Sequence, residues 1–272
     1  MPETSKARLG PQAGEHQNVA RAALVIETLC RARERGLRLV DVIRESGLSR
    51  ATTHRLLAGL TTHGFVDYDK ETNRYFLGLK MLTWAAAATE RYGLAPFLDS
   101  SLDRLCVKTQ DTVYFSLISG VDSVCVDHRE GSYPIKTLTL SVGDRRPLGV
   151  GAASMALLAF QKDEFIEKVL ETEEAQRLKF GFTTDYVRSE LAKTRKLGYA
   201  LNDGHLIAGM YGVAVPVRKD NGQAIAAITV AAVSSRLSGA RLETVVGWMR
   251  EEAEQAEKTA SEFFSTPFIK RF

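Results

Sequence analysis

Apolar positions first organise the chain at Val19, Ala22, Ala23, Ile26, Leu29 and Cys30, a helical spacing that predicts one amphipathic helix with those residues inward. The stretch before it, 1–17, is polar, carries Pro2, Gly10, Pro11 and Gly14, and reads as a mobile tail. A second short helix fits 39–45, with Leu39, Val42 and Ile43 facing inward. Gly47 supplies a turn, and Ser49 opens a third helix as its N-cap. Past Gly64 the period falls to two: 65–68 and 74–77 flank a polar turn and predict a β-hairpin. The Ala-rich run from Leu79 to Arg91 predicts a bridging helix, punctuated by Gly93 and Pro96.

The rest reads as mixed α and β. A helix at 98–109 precedes a hairpin of 112–118 and 123–127, then a strand at 135–142 and a loop at 143–149. A small-residue helix at 151–160 and helices near 163–171 and 185–197 follow, the last stopped by Gly198. A second hairpin, 211–217 with 223–233, turns at Asp220-Asn221-Gly222, and a long helix closes the chain over 241–264.

Helix, helix, glycine turn, helix and hairpin in about 60 residues is the order of a winged helix-turn-helix. Projected at about 100° per residue, Thr53, Leu56, Leu57 and Leu60 of the third helix share one side. Ala51, His54, Arg55 and Ala58 lie opposite, with Arg50 and Thr52 on the flanks, and no acidic residue occurs from Ser49 to Val66. A small, polar, cationic face suits a major groove about 12 Å wide, and the first N–H groups near Ser49 suit a backbone phosphate. Ser49, Arg50, Ala51, Thr52, His54 and Arg55 are therefore candidate DNA contacts. Arg74 in the hairpin either grips phosphate or is simply solvated.

Charge sharpens this picture. The net charge of +3 over 272 residues is uneven: residues 1–95 hold 14 Lys and Arg against 10 Asp and Glu, the remainder 22 against 23. A basic first third on a neutral body points to a polyanion partner for that third only. A composition of 44% hydrophobic and 25% charged residues is globular, and no apolar run nears the ~20 residues of a membrane span. The first residues lack the apolar core of a secretory signal, and Cys30, Cys106 and Cys125 form neither a disulfide framework nor a C-x-x-C motif. Together these predict a reduced, cytoplasmic protein.

A second constellation is the loop from Gly143 to Leu148 running into Gly149-Val150-Gly151-Ala152-Ala153-Ser154. A helix whose first turn is nearly bare offers N–H groups and a dipole to a carboxylate. The same pattern equally describes a small-residue helix packed tightly on a sheet.

The segment Leu39-Val40-Asp41-Val42-Ile43-Arg44-Glu45-Ser46-Gly47-Leu48-Ser49-Arg50-Ala51-Thr52-Thr53-His54-Arg55-Leu56-Leu57, with Tyr75-Phe76-Leu77-Gly78, resembles the DNA-binding domain of IclR-type transcriptional regulators. The resemblance runs from about Asn18 to the end. It implies an α+β protein: a winged helix-turn-helix over 18–78, a linker helix over 79–96, and a GAF-like α/β effector-binding domain over 97–272. It also implies dimerisation through the linker helix and the DNA-binding domain.

Within the second domain the resemblance places Ala152 and Ala153 where backbone N–H groups meet the effector, and Asn202 at a polar contact. It puts Met210 and Gly212 on the cavity wall, Thr229 and Ala231 on the last cavity strand, and Leu138 at an apolar lid. Gly149, Ser154 and Met155 depart from the family's usual His, Gly and Lys, Asn202 stands where an acidic residue can occur, and Gly212 where a bulkier or polar side chain can occur; together these predict a pocket roomier and less polar than in many relatives.

These readings converge on a regulator that binds a palindromic operator of double-stranded DNA as a homodimer or dimer of dimers. Its effector is expected to be a small organic acid with an apolar or aromatic body. The alternative is an enzyme, or a ligand-binding protein, built on the C-terminal domain with a regulatory helix-turn-helix. The five histidines show no metal spacing, and no P-loop, Gly-x-Ser-x-Gly or dinucleotide motif occurs, so no catalytic residue, metal or cofactor is expected.

Overall fold

The computed structural model describes residues 17–91 and 95–264, which form two compact units, the first ending at Arg91. Most of the expected tail lies outside the described residues; Gln17 already belongs to the first helix.

The first unit contains α1 (Gln17–Ala32), α2 (Leu39–Ser46), α3 (Arg50–Thr62), a hairpin of β1 (Val66–Asp69) and β2 (Arg74–Leu77), and α4 (Lys80–Arg91). Val25, Leu29, Leu37, Val42, Leu57, Leu60 and Val66 make its core. The inward stripe of α1 differs from the expected one. Val25, Thr28, Leu29 and Ala32 are buried, whereas Val19, Ala23 and Cys30 are exposed. Periodicity allows more than one stripe on an Ala-rich helix, and packing against α2 and α3 selects among them. Thr28 tolerates burial because its hydroxyl donates to Leu24 O at 2.7 Å.

The turn between α2 and α3 follows from one backbone requirement. Gly47 adopts φ 68°, and its N–H closes α2 on Ile43 O at 3.0 Å. Behind it, Trp84 of α4 packs on Phe65 with ring centroids 4.7 Å apart, and Lys80 Nζ lies 4.7 Å from the Phe65 ring centroid.

The second unit begins with α5 (Ala95–Thr109), β3 (Thr112–Ser119), β4 (Asp122–Arg129), β5 (Arg145–Pro147) and α6 (Gly151–Ala159). It continues through α7 (Asp163–Thr172), α8 (Glu174–Leu178), α9 (Thr184–Leu197), β6 (Ala200–Asn202), β7 (Met210–Arg218), β8 (Ala224–Val233) and α10 (Gly239–Phe264). Six strands pair antiparallel in the order β5-β4-β3-β8-β7-β6. Strand alternation sorts the two faces. Val113, Phe115, Val213, Val215, Ile228 and Val230 pack with α5 and α10, while Ala214 and Ala227 pack with α6. This α/β/α layering buries apolar side chains on both faces of the sheet.

Two expectations from the sequence change here. Residues 135–142 form no strand, although their alternation suggested one. Ile135, Leu138 and Val142 are exposed while Thr137 is buried. The edge of β4 is paired instead by three residues, Arg145–Pro147. The segment is held by a side chain: the Tyr114 hydroxyl donates to Thr137 O and accepts from Thr139 N at 3.2 Å. The short β6 and α8 were not anticipated, because three to five residues carry too little period to be seen.

Two buried ions are matched by their surroundings. Asp111, almost fully buried, pairs with Arg236 at 2.7 Å and Arg241 at 3.1 Å. Arg177, fully enclosed, donates to Val169 O and Leu170 O at the end of α7, where the helix dipole favours a cation. Among the described residues no helix is long and apolar enough to cross a membrane.

Candidate functional site

Helix α3 presents the surface expected from its projection. Thr53, Leu57 and Leu60 are buried, whereas Ser49, Arg50, Ala51, His54, Arg55 and Ala58 are exposed; Thr52 and Leu56 lie between. Ser49 caps the helix: its Oγ accepts from Thr52 N at 3.3 Å and donates to Thr52 Oγ1 at 2.9 Å. Thr53 Oγ1 bonds back to Ser49 O at 3.0 Å, so this buried hydroxyl is satisfied within the helix. The free N–H groups of the first turn and the side chains of Arg50, His54 and Arg55 therefore share one exposed end of α3.

Arg74 is partly committed elsewhere. Its Nη1 donates to Arg35 O and Gly36 O, both at 3.0 Å, tying the hairpin to the chain after α1. The hairpin itself carries Asp67, Asp69 and Glu71 beside Lys70 and Arg74. The Thr72 hydroxyl hydrogen bond holds the Asp69 carboxyl below its ordinary value.

In the second unit a cavity of about 560 Å³ of empty space, part of it open to solvent, lies between the sheet and the start of α6. Seven of the eight expected effector residues line it: Ala152, Ala153, Asn202, Met210, Gly212, Thr229 and Ala231. Leu138 does not; its side chain is 55% exposed, and its neighbours Thr137 and Thr139 line the cavity instead. The irregular 135–142 segment explains the miss, since Thr137, Thr139 and Leu140 turn inward there and Leu138 does not.

The floor of the cavity comes from strand parity. Thr229 pairs with Tyr114 on one side and Ala214 on the other, and Gly212 lies opposite Ala231 and Asn202. Asn202 is partly occupied: its Oδ1 accepts from Leu206 N at 3.3 Å, shaping the turn after β6.

Sequence reasoning missed several wall residues, notably Tyr114, Ser123, Arg146 and Leu206. Tyr114 could have been found from alternation with inward Val113 and Phe115. Arg146 could not, because Arg145 stands beside it with the same chemistry.

Of the signature departures, Gly149 makes no room in the cavity. Gly149 has φ 93°, and a β-carbon there would approach Val187 Cγ1 to 3.0 Å and Arg177 Cδ to 3.4 Å. The space of a larger residue is thus already filled outside the cavity. Ser154 is braced to Ser123 through a 2.6 Å hydroxyl pair, which pins α6 to β4. The cavity also holds a charge, since Arg146 lines it, its Nη2 donating to Thr139 O at 3.0 Å.

Comparison with known proteins matches this architecture at both ends. Residues 18–70 match the IclR helix-turn-helix domain, and residues 86–258 match the bacterial transcriptional regulator IclR C-terminal domain. The chain belongs to the IclR family. This IclR-family chain is 28% identical over 261 residues to the HTH-type transcriptional regulator XynR of Escherichia coli, covering 92% of this chain and 98% of that one. It is 28% identical to the probable transcriptional regulator SauR of Cupriavidus necator, over 91% of this chain and 99% of the relative.

Its fold resembles an IclR regulator of Alicyclobacillus acidocaldarius, with TM-score 0.78, 24% identity, and coverage of 89% and 98% of the two chains. It also resembles an IclR homolog of Microbacterium hydrocarbonoxydans solved with 4-hydroxybenzoate, with TM-score 0.76, 21% identity, and coverage of 90% and 99%. The chain is accordingly a transcriptional regulator with a DNA-binding helix-turn-helix and a C-terminal effector domain, and its relatives are regulators rather than enzymes.

Proposed function

We propose that this regulator reads a palindromic operator through α3 and that a small organic acid in the α6 cavity modulates that binding. Arg50, Ala51, Thr52, His54 and Arg55 face the major groove, Ser49 and the first turn of α3 meet a phosphate, and Arg74 contributes at the flank. Ala152, Ala153, Asn202, Met210, Gly212, Thr229 and Ala231 form the effector wall. One recognition helix covers a half-site, so the regulator acts as a homodimer or dimer of dimers, in the cytoplasm.

The observation that carries the DNA reading is the exposed, cationic, carboxylate-free face of α3. The organic acid reading rests on a largely apolar cavity that meets a helix N-terminus, and a structural relative binds such an acid. Effector and DNA are coupled because a ligand shifts DNA affinity only by binding two arrangements unequally.

The test is fluorescence anisotropy with a duplex enriched in vitro on the full chain. Tight binding that weakens steeply with salt, and changes when an aryl acid is added, supports the reading. Retention of no duplex in dilute salt overturns it, as does turnover of an acid that binds.

A further inference from the structure

Arg146 and Thr229 stand out from the other cavity residues because each has hydrogen-bonding capacity directed at the cavity that the protein does not use up. Arg146 sits on β5 with only the Thr139 carbonyl as a hydrogen-bond acceptor, and it makes no ion pair among the described residues. Its position is electrostatically unusual. A β-carbon on Gly151, the first residue of α6, would lie 3.3 Å from Arg146 Nη1. The guanidinium is therefore packed beside the positive end of a helix dipole, with two like-signed features converging on one corner of the cavity. Burial pushes the Arg146 guanidinium below its ordinary value and outweighs the attraction of the nearby Asp144 carboxylate. The other enclosed arginine, Arg177, is stabilised by helix C-terminal carbonyls, whereas Arg146 lies at a helix start, where the dipole opposes it.

An anion placed between Arg146 and the first N–H groups of α6 would satisfy both. A carboxylate is suited to this, since a guanidinium fork can grip it with two parallel bonds.

The second observation is independent and lies across the sheet. Thr229 is 7% exposed, lines the cavity, and its Oγ1 is buried with no hydrogen-bond partner among the described residues. Leaving such a hydroxyl unpaired is costly, so a ligand that bonds it gains selectivity over one that does not. Thr229 is on β8 and Arg146 on β5, separated by β3 and β4. Three interstrand steps put these strands roughly 14 Å apart, and the pairing Arg146–Ser123–Ile118 against Thr229–Tyr114 sets the two residues four positions apart along the sheet as well. The Arg146 side chain crosses part of that offset, since its Nη2 reaches Thr139 O, next to the Tyr114 hydroxyl. Between the two polar ends the walls are apolar: Leu140, Val150, Ala152, Leu206, Met210 and Ala231. A two- or three-carbon acid is too short to touch both ends, so the effector needs an apolar body, such as an aryl ring, between its polar groups.

We infer that Arg146 holds the carboxylate of the effector against the start of α6, and that Thr229 selects acids carrying a hydroxyl at the far end of an aryl body. This rests on the reading of the cavity as an organic-acid site, and it assigns the charge recognition to a side chain rather than to the helix start alone.

The experiment is calorimetric titration of the full chain with 4-hydroxybenzoate, benzoate, 4-hydroxybenzamide and pyruvate. Wild type should bind 4-hydroxybenzoate at least tenfold tighter than the uncharged amide of the same shape, and pyruvate more weakly than either acid. Arg146→Gln should erase the preference for acid over amide, and Arg146→Lys should restore part of it. Thr229→Val should lose the preference for 4-hydroxybenzoate over benzoate.

The acid-to-amide comparison uses the unaltered chain, so it decides the matter even if a variant fails to fold. Equal binding of acid and amide overturns the inference, as does tighter binding of pyruvate. Undiminished acid preference in Arg146→Gln also overturns it, leaving the helix start as the anion site and the organic-acid reading intact. If none of the acids binds wild type, that reading and the inference fall together.

Discussion

A β-carbon placed on Gly212 would stand 3.6 Å from the β-carbon of Ala152, an ordinary contact across the cavity between β7 and α6. Gly212 has no positive φ, so its conformation does not require glycine. What the missing side chain preserves is open space, bounded by Ala231 and Asn202 on the neighbouring strands.

Gly212→Leu should therefore fill the cavity while leaving the apo protein folded. A ligand at 100 times Kd stabilises a protein by about 2.7 kcal/mol. The variant should lose that Tm increment with 4-hydroxybenzoate, and a full increment would show that the ligand binds elsewhere.

Arg55 is exposed on α3 and contributes no core contact. Arg55→Ala should leave Tm unchanged, weaken duplex binding, and reduce the salt slope by about one if it neutralises one phosphate. A base contact would instead relax sequence preference at one operator position, at about 1–3 kcal/mol. Unchanged affinity and specificity would remove Arg55 from the interface.

Ser49 has two roles that one pair of variants separates. Ser49→Ala loses the Oγ cap on Thr52 N and should destabilise the first unit by about 1 kcal/mol. Ser49→Asp keeps a capping oxygen, so its thermal stability should stay near wild type. Its duplex affinity should fall, because a carboxylate would face the phosphate. Equal DNA binding by Ser49→Asp and wild type would exclude a phosphate at that helix start.

Glu252 sets a pH dependence. Its burial alone would raise its pKa, but hydrogen bonds from Arg104, at 2.6 and 2.9 Å, and from Ser101 outweigh burial and leave it below the ordinary carboxylate value. A depressed folded value means the unfolded chain binds the proton first. The contribution is present above the unfolded value of about 4.3 and is lost as pH falls through the folded one. Glu252→Gln should narrow the Tm difference between pH 7 and pH 3; an unaltered difference would place the acid sensitivity elsewhere.

Leu138 provides a check on the cavity boundary. Its exposed side chain lies outside the cavity, so Leu138→Ala should leave acid binding within about twofold, less than 0.5 kcal/mol, as expected for a surface substitution away from the site. Large loss of affinity would return Leu138 to the site.

The regulator's first unit was legible in the amino-acid order because its determinants are local. The cap at Ser49, the left-handed Gly47 and the one-sided periodicity of α3 are each fixed within a few residues, and they dictate which face of α3 is bare. The turn at 220–222 and the parity of β7 and β8 were legible for the same reason. The inward stripe of α1 was not, since an Ala-rich helix offers several stripes and its partners choose one.

The cavity divides along the same line. Its small-residue walls follow from strand and helix periodicity, but its charge does not. Arg145 and Arg146 are chemically identical neighbours on a strand, and pleating sends them to opposite faces. Pairing of β5 on β4 decided which is which: Arg145 turns out to Asp122 at 3.1 Å, and Arg146 turns in beside Gly151. Sequence alone determined that one of the two would face inward if a strand formed. Only the sheet, by fixing register three strands away from Thr229, determined that it would be Arg146.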